Sequence, residues 1–147
     1  MTKIIFTVTL VLVWLASVSG SHAATAKEDY ELQERCGKRA DELFKREYGN
    51  SGITNTKDGQ ALAGYRNHYN KKLNKCFLLL TYRDIPYKDK KKASSTLMTL
   101  YDINENKEYG SYFKSDNNSI PFDCKVSETV CRSEQEWDSL ISPYMEE

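Results

Sequence analysis

The chain is poor in residues that do chemistry at neutral pH. Of its two histidines, one, His22, sits in the extreme N-terminal stretch, so His68 is the one imidazole in the remainder. Imidazole is the only side chain whose unperturbed pKa falls near neutrality. No Gly-x-Ser-x-Gly elbow, phosphate-cradling glycine loop, His-Glu-x-x-His pair or calcium loop is present, which removes the common signatures of serine hydrolases, nucleotide-binding enzymes and zinc peptidases. The acidic Asp102-Ile103-Asn104-Glu105-Asn106 lacks the spacing and the glycine of a calcium loop and reads as a hairpin turn. No two cysteines stand in Cys-x-x-Cys spacing, and His68 is remote from all four, so neither a thioredoxin-type redox pair nor a zinc site is expected. No cofactor is implied. There is no internal repeat and no low-complexity tail.

Long apolar runs are equally scarce. The first is Ile4 to Val18, behind Lys3 and followed by the small residues of Ser21-His22-Ala23. That order is expected of a secretory signal peptide over 1–23, with Ala24-Thr25-Ala26 as a second cleavage point. A membrane anchor would need about 20 apolar residues. No cysteine lies near the junction, so a lipoprotein is not expected. The remainder, 24–147, is read as one domain in an exported (periplasmic or secreted) protein with no stable membrane span after cleavage. The second run is Lys75 to Ile85. Cys76, Leu78, Leu80 and Tyr82 share one strand face; Phe77, Leu79 and Thr81 share the other. Apolar residues on both faces predict a central strand covered on both sides.

The rest is arranged around that strand. Lys27 to Tyr48 carries Leu32, Cys36, Ala40, Leu43 and Phe44 at helical spacing, with acids at its start and Gly49 at its end. Gly49 to Gly64 reads as loop. Tyr65 to Tyr69 reads as a strand, with a short helix as the alternative. Ser95–Ile103 and Glu108–Lys114, joined by an Asn-rich turn, form a hairpin signal. Ser133, with Glu136 three residues on, predicts a capping box for a last helix bearing Trp137, Leu140, Ile141 and Tyr144, whose regular part Pro143 should end. The expected fold is α+β: an N-terminal helix, an antiparallel meander of three or four strands and a C-terminal helix, as a small disulfide-stapled domain. In element order alone this resembles the cystatin-like architecture, a resemblance that implies no activity.

Four cysteines in a small exported chain predict two disulfides. Cys36 lies on the apolar helix face and Cys76 opens the central strand, so Cys36–Cys76 and Cys124–Cys131 are the expected pairs. The chain balances 21 basic against 21 acidic residues, but unevenly along its length. Residues 49–100 hold 10 basic and 3 acidic residues, net +7; residues 101–147 hold 4 and 11, net −7. Nucleic acid is not an expected partner of such an exported chain. Ten tyrosines offer recognition area. Tyr65, Tyr69 and Tyr87, with His68 and the cluster Lys88, Lys90, Lys91 and Lys92, are the candidate binding residues. Asn117-Asn118-Ser119 matches a glycosylation sequon. No catalytic residue is assigned. The sequence therefore predicts a non-catalytic binding or accessory protein, monomeric or weakly dimeric, whose partner is a protein or an anionic envelope ligand. Two alternatives stand beside it: a small hydrolase or isomerase using His68 with a carboxylate in a sheet-helix cavity, and an assembly protein dimerising through a sheet face.

Overall fold

A computed structural model describes residues 25–88 and 92–146. The expected signal segment, and Lys90 and Lys91, lie outside the described residues. Among the described residues the fold is two helices on a seven-stranded antiparallel sheet whose spatial order, β1 to β7, is the chain order. The elements are α1 (Ala26–Tyr48), β1 (Ile53–Asn55), β2 (Gly59–Asn70), β3 (Lys75–Pro86), β4 (Ser95–Asp102), β5 (Lys107–Ser115), β6 (Asp123–Val126), β7 (Thr129–Val130) and α2 (Glu134–Met145).

The α+β meander between two helices is as expected; the count of three or four strands is corrected to seven. The additional strands β1, β6 and β7 have three, four and two residues. Runs that short carry too few alternations for a period-2 pattern to show. The segment read as a loop after Gly49 contains β1 and the start of β2. The Tyr65–Tyr69 stretch is strand, inside a twelve-residue β2 that pairs in register with β3 from Gly59↔Pro86 to Asn70↔Lys75.

Both predicted disulfides are present, Cys36–Cys76 and Cys124–Cys131. The first ties α1 to the start of β3. The alternation of β3 then sends its side chains to two cores. Cys76 and Leu78 meet Cys36, Ala40, Tyr69 and Ile103 under α1. Phe77 and Leu79 join Met98, Leu100, Tyr112, Val126, Trp137 and Ile141 under α2. Gly110 admits Trp137 to the sheet: a Cβ there would stand 2.8 Å from the Lys125 carbonyl oxygen and 3.2 Å from the indole.

Cap chemistry explains the helix ends. The Thr25 hydroxyl accepts from Glu28 N–H, and Thr25 N–H donates back to the Glu28 carboxylate, a full capping box. At α2, Ser133 Oγ accepts from Glu136 N–H at 3.1 Å, but the Glu136 carboxylate accepts from Arg132 N–H, one residue before the expected position. Pro143 does not end α2, which runs on to Met145. The reason lies on β2. Buried Asn70 donates from Nδ2 to the Pro143 carbonyl at 2.9 Å and the Tyr144 carbonyl at 3.4 Å, so the last turn finds its donors in the sheet.

Candidate functional site

The candidate residues disperse. Tyr65 packs its ring on Phe44, 4.6 Å between centroids, and donates its hydroxyl to Asp41. Burial, then the neighbouring Asp41 carboxylate, raises its pKa. Tyr69 is 7 % exposed and bonds Asn74 Oδ1 at 2.7 Å. Both rings brace α1 against the sheet, because β2 turns these positions toward the helix. His68 stands between Tyr65 and Tyr69 in the chain, near the end of β2. It lines a hollow of about 400 Å³ with Asp29, Tyr30, Gln33 and Lys71. The one carboxylate in that wall, Asp29, is held by Lys71 Nζ at 3.0 Å.

Among the described residues the +7 and −7 segments meet in ion pairs across the meander. Lys75 Nζ sits 2.7 Å from buried Asp102 and 2.6 Å from Glu105, with the Tyr109 ring 5.6 Å from it. The Asp102 and then the Glu105 carboxylate raise its pKa and hold it charged. Arg83 pairs with Asp116 at 2.8 Å. Among the described residues no group of three His, Cys, Asp or Glu side chains converges as a metal site, and no helix is long and apolar enough to cross a membrane.

What the fold does assemble is a surface that periodicity alone does not reveal. On the α1 face, Tyr82 pairs across to Leu97, and Leu97 to Phe113. Phe122 donates its N–H to the Phe113 carbonyl and stacks its ring at 5.6 Å on that of Phe113. The result is one apolar row across β3, β4 and β5, with Tyr82 36 %, Leu97 41 %, Phe113 36 % and Phe122 63 % exposed. It is bare because α1 lies mainly over β2 and ends at Tyr48, whose ring meets Tyr82 at 6.5 Å. Beside the row is a hollow of about 390 Å³ walled by Asp58, Asp84, Lys92 and Ser95. Exposed Tyr87 and Lys88 follow directly on the end of β3 there. Of the candidate binding residues, Tyr87, Lys88 and Lys92 thus belong to this end of the sheet, while Tyr65, His68 and Tyr69 belong to other neighbourhoods.

Contiguous exposed apolar side chains of this kind mark interaction sites on otherwise polar surfaces. Compared with protein-family models, with curated proteins and with solved structures, the chain matches none.

Proposed function

We propose that this is a small exported, non-catalytic binding protein that holds a protein partner on the Tyr82–Leu97–Phe113–Phe122 row. The disulfides fit an oxidising compartment. The observation that carries the reading is the row itself: three side chains in direct cross-strand register and a fourth, Phe122, stacked on Phe113, all left open by a helix that stops short. Rigid aromatic rings on a strand scaffold bury large area at low entropic cost. Lys88 and Lys92 at the rim contribute association rate and salt dependence, since charges exposed there are screened beyond about 8 Å at physiological salt.

The test is affinity capture from the native exported fraction with wild type and with Leu97→Glu/Phe122→Ser. The double variant should lose the partner while keeping its stability within about 0.5 kcal/mol, as surface substitutions do. Capture should survive about 0.5 M salt if the apolar row dominates. A partner retained equally by the double variant rejects the row as the site. The same variant separates a second reading that the row also favours. If wild type sediments as a dimer and the variant as a monomer, the partner is another copy of this chain.

A further inference from the structure

Alongside α1, on the side facing the β4–β5 turn, two hollows of about 530 and 500 Å³ adjoin and share Arg39. Their chemistry is segregated. The first is rimmed by Arg35, Lys38 and Arg39 against the single acid Glu42. Among the described residues Arg35 and Lys38 make no ion pair, and Arg39 donates only to the neutral Asn104 Oδ1 at 3.2 Å. The second hollow has an apolar floor and wall of Leu43, Phe44, Leu78, Leu80, Tyr101 and Ile103. Its own cation, Arg46, is already neutralised by Glu47 at 2.9 Å. Arg35 to Arg46 spans about 16 Å of helix at 1.5 Å per residue. Unpaired cations thus lie at one end of an elongated groove and hydrocarbon at the other.

We infer that this groove binds a free, single-chain anionic amphiphile, with its head group on Arg35, Lys38 and Arg39 and its chain over the half-buried Leu43, Leu80 and Tyr101. Head and tail follow from the segregation of charge. A peptide with acids along its whole length would need cations along the whole groove, and the far half offers none unpaired. Each hollow lies within the size range of small-molecule sites, about 300–1,000 Å³. The site is separate from the apolar row, with Tyr48 standing between them against Tyr82.

The probe is sodium dodecanoate, titrated below its micellar concentration into the isotopically labelled chain and followed by amide chemical shifts. Shifts should concentrate on 35–48, 78–80 and 101–106. Uncharged dodecanol should bind at least about tenfold more weakly. Arg35→Gln/Arg39→Gln should bring dodecanoate down to the dodecanol level while leaving dodecanol binding and the folded spectrum unchanged. Phosphatidylglycerol vesicles should not sediment the protein. Equal affinity for dodecanoate and dodecanol, shifts confined to the Tyr82–Phe122 row, no shifts up to millimolar dodecanoate, or sedimentation with the vesicles without dodecanoate binding would each overturn the inference.

Discussion

α1 has 23 residues and α2 has 12, yet the shorter helix closes the larger core. Under α2, Trp137 and Ile141 complete a closed cluster with Phe77, Leu79, Met98, Leu100 and Tyr112. Under α1 only Cys36, Ala40 and Phe44 are buried from the helix, and the groove and the bare apolar row lie beside it. The thin side also carries the long-range disulfide, whose cysteines stand 40 positions apart against 7 for the other. One face is closed by packing around a short local bridge and the other is pinned by a long-range one, and the groove and the bare row collect on the face with the long-range pin. A helix need not cover what a disulfide already holds in place.

Replacing the packed side's central ring should do the most damage. Trp137→Ala should cost about 3–5 kcal/mol, because the closed site cannot collapse around the void. Leu80→Ala, half-buried on the open side, should cost about 1 kcal/mol, since groove and solvent already meet there. Chemical denaturation of both variants checks the pair; equal losses would erase the contrast between the faces.

The covalent pin gives the next effect. Removing Cys36–Cys76 with a double Ser variant should cost roughly 4 kcal/mol by the chain-entropy relation, and removing Cys124–Cys131 roughly 2.5. Thermal melts of the two variants compare them directly. If the short bridge matters more, α1 is held by its packing after all.

Tyr112 sharpens the closed side at small cost. Its hydroxyl makes no hydrogen bond among the described residues. Burial first, then the Glu134 and Asp138 carboxylates, raises its pKa above the ordinary value of 10.0. The folded chain keeps this proton to higher pH than the unfolded chain. The associated stability is whole below pH 10 and is lost as pH rises through the folded value. Tyr112→Phe should change stability at pH 7 by less than about 1 kcal/mol. It should also flatten the alkaline loss above pH 10, read from denaturation midpoints at a series of pH values.

Much of this architecture was legible in the residues, and the pattern of misses is physical. β3 announces itself because apolar side chains on both faces of one strand require cover on both sides, and the pairing of Cys36 with Cys76 follows from where that cover must sit. The open surface was not legible. Tyr82, Leu97 and Phe113 come from three strands, and each alone is an ordinary strand residue. Only the register aligns them, and only the end of α1 at Tyr48 leaves them bare. The place of Tyr65 and Tyr69 against α1 was hidden for the converse reason: a polar neighbourhood in sequence says nothing about which strand face a helix will cover. The Asn70 amide that lets α2 run past Pro143 was equally hidden, because its partners lie 73 and 74 residues away.

The sheet order β1 to β7, identical to the chain order, bears on how quickly the molecule can be made. Every strand finds its hydrogen-bonding neighbour in the next segment of chain, so each pairing closes a short loop at small entropic cost. A topology of successive local closures has low relative contact order and belongs with the faster folders among β-rich domains. The contacts that reach furthest are those of α2 with β2 and β3, Asn70 with Pro143 and Tyr144 and Phe77 with Tyr144, and that of α1 with the β4–β5 turn, Arg39 with Asn104. Local closure alone therefore lets the meander zip from any hairpin outward.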